Sequence, residues 1–273
     1  MGHKSCVGKS TTMRMILGLD NPTAGHALIG GRGYRDLRHP LRTVGALLDA
    51  TWVHPNRSAR AHLRWLAASN DLPVRRADEV LEVVGLGPVA GRRAGGFSLG
   101  MAQRLGIAAA LLGDPEVLLF DEPVNGLDPE GVLWIRGLMH RLADEGRTVL
   151  VSSHLLAEME LTAHDLIVIG RGKLISHGGV AEFVARATES SVRIRTPDTG
   201  RLRALLEHAG AKVRADGDAL VVTDAKSSEI GEVCAANGIV LHELSVHHGS
   251  LEEAFMRLTG DAVEYHADSG GTP

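Results

Sequence analysis

Aromatic residues make up only 3% of this 273-residue chain, too few to furnish the stacking platforms on which single-stranded nucleic acid is held. The formal net charge of -4 gives no general pull toward DNA or anionic lipid, so nucleic acid is not an expected partner. Cysteine is nearly absent. Cys6 and Cys234 are the two present; they make no disulfide framework and no CxxC pair for a metal, which points to a reducing compartment. The opening MGHKSCVGKS has no apolar core of a signal peptide behind it. Nowhere does an apolar run reach the ~18–20 residues that span a bilayer, so a role at a membrane needs a partner that does the spanning. What the chain does have is 44% hydrophobic and 23% charged residues, the composition of a globular protein with one large or two modest domains.

Strand-like and helix-like runs alternate through about residue 187, the pattern of an α/β domain with a largely parallel sheet. Residues 117–120 and 148–152 are short apolar runs ending in polar residues, as strands covered on both faces are. Between them the sequence predicts a helix with Asp128 as N-cap, Pro129 in the first turn and Gly146 past its end. Residues 58–113 read as mostly helical. Ser58 caps one helix carrying Leu63 and Leu66, a second presents Val80, Leu81 and Val84 and stops at Gly85, and a third begins at Ser98. They form a helical insertion, about 50–113, in the α/β domain. After Arg186 the pattern restarts: strand 191–196, helix 201–208, a hairpin over 212–223 turning at Asp216-Gly217, helix 227–236 and strand 239–246. A last helix starts at Ser250, with Glu253 completing a capping box. The order βαββαβ predicts a small α+β, ferredoxin-like unit. No internal repeat is evident.

Gly8-Lys9-Ser10-Thr11, with a helical run to Leu19 behind it, matches the second half of a phosphate-binding loop. Backbone N–H groups at a helix start attract phosphate oxygens, Lys9 neutralises charge, and Ser10 can ligate Mg²⁺. Alone, this tetrapeptide also arises by chance. The spacing G-x-x-x-x-G-K-[ST] places the first glycine at position 3, where this chain has His3. A glycine is used there because the backbone takes φ > 0 against the phosphate. Leu118 to Glu122 is an apolar strand ending in two acids, which puts Asp121 in place to hold Mg²⁺ and Glu122 to orient or deprotonate a water. A strand end with solvated acids is the plainer alternative.

The run Asp121-Glu122-Pro123-Val124-Asn125-Gly126-Leu127-Asp128-Pro129 resembles the Walker B segment and D-loop of ABC ATPases almost letter for letter. Upstream, Phe97-Ser98-Leu99-Gly100-Met101-Ala102-Gln103-Arg104 resembles the ABC signature, usually LSGGQ and a basic residue; Ser98 and Gly100 match, while Leu99 and Met101 depart. His154, after the strand VLVSS, takes the place of the family's switch histidine. Gly45-Ala46-Leu47-Leu48-Asp49 falls at the Q-loop, with Asp49 in place of glutamine, either near Mg²⁺ through water or simply an exposed loop acid. Five segments in family order, from residue 8 to about 180, carry the likeness. It is closest in form to actinobacterial drug-resistance (daunorubicin-type) exporter ATPases.

That resemblance implies a P-loop NTPase of the ABC type over 1–187, an accessory α+β domain over 188–262 and a disordered tail over 263–273. It implies ATP and Mg²⁺ as cofactors, bound by Gly8, Lys9, Ser10 and Thr11, with Ser98, Gly100 and Asp128 also on the nucleotide. Asp121, Ser10 and Asp49 would serve the metal, and Glu122 and His154 the hydrolysis. It implies a homodimer or paired cassette and a separate transmembrane permease, on the cytoplasmic face of the membrane, exporting a drug or other hydrophobic small molecule. The family also has a strand and an adenine-stacking aromatic ahead of the phosphate loop, and a glycine where Cys6 stands. The start is therefore expected to be truncated or degenerate, and ATP binding weak. Two alternatives follow: an ABC-fold remnant or regulatory protein with impaired ATP binding, and a soluble ABC ATPase of translation or repair. The latter would show a second cassette or a coiled-coil insertion.

Overall fold

A computed structural model describes residues 8–50, 52–170, 172–187, 190–223, 225–247 and 249–259; His3, Cys6 and the 263–273 tail lie outside them. The chain divides into two compact units, Met1–Leu155 and Leu156–Pro273.

In the first unit the elements are α1 (Lys9–Ile16), α2 (Pro40–Thr43), β1 (Val44–Leu47), α3 (Ala59–Ser69), α4 (Arg76–Val83), α5 (Leu99–Leu111), β2 (Val117–Asp121), α6 (Pro129–Asp144) and β3 (Thr148–Ser152). The three strands form one parallel sheet in the order β1-β2-β3. β2 is apolar throughout its middle because both of its faces are covered. Leu118 and Phe120 enter a core with α5, α6 and the insertion helices, and Leu119 enters a second core with Leu17, Ile29 and Val44. Each such burial stabilises by about 1.5–3 kcal/mol, so β2 firmly anchors the strand end that carries Asp121 and Glu122. At Gly45 a Cβ would stand 2.0 Å from the Ala110 carbonyl oxygen. Only glycine lets α5 cross β1 at that distance, and the crossing fixes the end of the insertion to the sheet.

The helix boundaries follow the predicted punctuation. Ser58 Oγ accepts from the Ala61 N–H at 3.2 Å, and α4 ends at Gly85, whose φ is 73°. Ser98 Oγ accepts from the Met101 N–H at 3.3 Å. Asp128 Oδ1 accepts from the Gly131 N–H at 2.8 Å, and Gly146 takes φ 86° after α6.

The second unit holds α7 (Leu156–Thr162), an antiparallel hairpin β4 (Asp165–Gly170) and β5 (Lys173–Gly179), α8 (Val180–Ala187), β6 (Ser191–Arg195), α9 (Thr199–His208), β7 (Lys212–Asp216), β8 (Ala219–Thr223), α10 (Ser227–Ala236), β9 (Glu243–His247) and α11 (Leu251–Thr259). Strands β6 to β9 form an antiparallel sheet in the order β7-β8-β6-β9, the ferredoxin-like arrangement. Val192, Ile194, Leu220 and Val222 on one face bury against Leu202, Leu206 and Ile230 of α9 and α10.

Two sequence boundaries move. The last strand starts at Glu243 rather than 239, because the Ile239 N–H closes the end of α10 on the Cys234 carbonyl at 2.9 Å. A donor committed there cannot join a strand ladder. The division after 187 falls inside the second unit, since α11 returns to pack on α7 and α8, burying Leu251 and Ala254. The Leu251 N–H donates to Glu160 of α7 at 3.0 Å. The Ser250–Glu253 capping box is present in both directions, at 3.1 and 3.4 Å.

Candidate functional site

Parallel strands end on one edge, so residues far apart in sequence gather where β1, β2 and β3 stop, the edge at which open α/β sheets bind ligands. Asp49 follows β1, Asp121-Glu122 closes β2, and Ser153-His154 follows β3. Helix α1 brings Lys9 to the same edge. Its Nζ donates to Glu122 Oε1 at 3.0 Å and to the Ser153 carbonyl at 2.8 Å. His154 Nδ1 lies 2.8 Å from Glu122 Oε2. One carboxylate thus engages the phosphate-loop lysine with one oxygen and the strand-end histidine with the other.

The backbone of Glu122 is in the left-handed region, φ 48°, a conformation that costs a non-glycine residue about 1–3 kcal/mol. Its N–H is held by Ser152, to the carbonyl at 3.1 Å and to Oγ at 3.2 Å. The Ser152 hydroxyl in turn donates to Asp121 Oδ1. On the other side, the Glu122 carbonyl accepts from the Asn125 N–H at 3.1 Å. Gln103 Nε2 donates to the Pro123 carbonyl at 3.0 Å and to that of Glu122 at 3.5 Å. The turn is over-determined, which is how a strained residue persists.

The start of α1 suits an anion. Gly8 takes φ 81°, no side chain among the described residues caps the helix, and its first turn carries no acid. The first-turn N–H groups have no intrahelical partner, and the helix dipole favours negative charge there. Ser10 sits half-buried in that turn and Thr11 is exposed.

The structure therefore brings Lys9, Glu122 and His154 together, with Asp121 one residue behind. The Asp128 carboxylate caps α6. Ser98 caps α5, and a Cβ on Gly100 would rest 3.4 Å from Leu127 of the D-loop segment. Asp49 is exposed. Sequence reasoning overlooked Ser152 and Gln103. Ser152 stands directly beside Asp121 in the β2–β3 register, a pairing that two separate strand runs do not fix. Gln103 carried no signal of its own. Among the described residues no cluster of three or more His, Cys, Asp or Glu could hold a metal by itself, and no helix is long and apolar enough to cross a membrane.

The family model "ABC transporter" matches residues 1–125. Over 261 residues the chain is 35% identical to the bacitracin transport ATP-binding protein BcrA of Bacillus licheniformis, covering 93% of this chain and 85% of that protein. The chain belongs to the ATP-binding proteins of ABC transporters. Another family member, the lantibiotic transport ATP-binding protein SrtF of Streptococcus pyogenes, is 37% identical over 168 residues, 62% of this chain and 72% of that one. A solved structure titled an ATP binding subunit of an ABC transporter superposes with TM-score 0.60 at 26% identity, covering 68% of this chain and 79% of that chain. A second ATP-binding cassette has the same fold, with TM-score 0.56 at 24% identity over 63% of this chain and 80% of its own. Residues 190–252, which hold the ferredoxin-like sheet, match a domain of unknown function.

Proposed function

We propose that this chain binds Mg-ATP at the edge carrying Lys9, Glu122 and His154, and that hydrolysis there powers export of an antibiotic or other hydrophobic small molecule. The convergence of Lys9 and His154 on the Glu122 carboxylate, at 3.0 and 2.8 Å, is the observation that carries this reading. In it, Gly8 to Thr11 cradle phosphate at the start of α1. Ser10, Asp121 and Asp49 would hold Mg²⁺, which would neutralise charge on the phosphates when bound. Glu122 accepts the proton of the attacking water, and His154 holds the Glu122 carboxylate in line. Ser98 and Gly100 serve the nucleotide of a second cassette. A separate membrane-spanning permease takes up the work on the cytoplasmic face. The names of the relatives, which transport bacitracin and lantibiotics, support the cargo class.

Titrating the purified chain with labelled ATP and Mg²⁺ tests it. Binding should saturate, and Lys9→Ala should weaken it about tenfold or more, since a charge-assisted contact to phosphate is lost. Equal affinity in the two proteins would sink the assignment.

A further inference from the structure

The signature segment and the turn that carries Glu122 interlock within one subunit. At Gly126 a Cβ would stand 2.0 Å from Leu99 Cδ2, and at Gly100 a Cβ would stand 3.4 Å from Leu127 Cδ2. Each segment therefore lays a leucine on the other's glycine. Leu99 occupies the position at which the sequence departs from the usual signature, so the departure is itself a packing contact. One turn further along α5, on the same helical face as Leu99 and Gly100, lies Gln103, only 6% exposed. Its amide donates to the carbonyls of Pro123 and Glu122. The N–H side of Glu122 is tied to Ser152. On the carbonyl side the one tie from another element, among the described residues, is Gln103, because the Asn125 contact is internal to the turn.

We propose that Gln103 is a positioning residue for hydrolysis, holding the left-handed turn so that the Glu122 carboxylate stays aimed at the attacking water. The proposal rests on the reading of Glu122 as the proton acceptor. A side-chain amide suits the task because its N–H₂ group can serve two carbonyls without bringing a charge into a buried place. The same link passes any shift at the start of α5, where the second cassette's nucleotide is read, to the backbone of Glu122.

The test compares Gln103→Met, which keeps length and burial but removes the donor, with Gln103→Glu, which sets an acceptor against two carbonyls. Both are made in the full chain beside Glu122→Gln, and turnover, KM for ATP, ADP affinity and thermal midpoint are measured. The Met variant should lose about tenfold in kcat, as for one lost orienting hydrogen bond, and the Glu variant more. KM and ADP affinity should stay within about twofold, because α1 and Lys9 are untouched. Parental kcat in Gln103→Met, with Glu122→Gln inactive, overturns the proposal alone. A fall of ADP affinity in step with kcat, or failure of both variants to fold, makes Gln103 a core residue and also overturns it. Parental turnover in Glu122→Gln overturns the reading of Glu122 itself.

Discussion

The carboxylate of Glu122 lies between Lys9 and His154, and a phosphate would compete with it for the lysine. This gives Glu122 two opposed effects that one substitution separates. Glu122→Gln removes the proton acceptor and should cut turnover at least about 100-fold, the range for a general base. It also frees Lys9 from a part-exposed ion pair, with side chains 21% and 22% exposed. Such pairs are worth little after solvent screening, so ADP affinity should rise only about two- to fivefold. Unchanged or weaker ADP binding in that variant, by calorimetry, would show that the Lys9–Glu122 contact does not compete with phosphate. The pairing of Lys9 with Glu122 was not legible in the sequence, where the two residues read as belonging to separate motifs. Their meeting depends on where α1 starts relative to the end of β2.

Among the elements, the starts of α5 and α6 fall inside family motifs, and Ser98 and Asp128 there are also N-caps. The Asp128 carboxylate is committed to the Gly131 N–H at 2.8 Å, and losing such a cap costs about 1 kcal/mol. Asp128→Ala should therefore lower the unfolding free energy by about that amount and leave nucleotide affinity within about twofold. Denaturant melts and ADP titration of the same sample check both. A large loss of affinity at unchanged stability would place Asp128 on the nucleotide, as its motif implies. The cap itself was readable, since Asp128-Pro129 ahead of an apolar-periodic run is a helix start whatever the protein does.

At the scale of the whole molecule, Lys9, Glu122, His154, Gln103 and Ser152 all belong to the unit Met1–Leu155, while α7 and α8 are grouped with the ferredoxin-like sheet. Where the chain is cut should therefore matter. Ending it after 187 removes α11 and uncovers the α7 and α8 surfaces on which Leu251 and Ala254 are buried. That truncation should aggregate or melt earlier than the full chain, even though it retains every site residue. A truncation ending at 187 that stays soluble and melts like the full chain, by light scattering and calorimetry, would count against the α7–α8–α11 packing.

The sequence by itself determined the local things: strand runs with their acidic ends, helix caps at Ser58, Ser98 and Asp128, the βαββαβ order, and the motifs by which the chain resembles its family. These are legible because caps, apolar period and motif spacing act over a few residues. Tertiary structure alone decided the rest. It paired Ser152 with Asp121, set Gln103 beneath the Glu122 turn, seated Leu99 on Gly126, and grouped α7 and α8 with α11. Each of these joins residues that only sheet register, helix crossing or the return of the chain brings together, and no local preference encodes such a meeting.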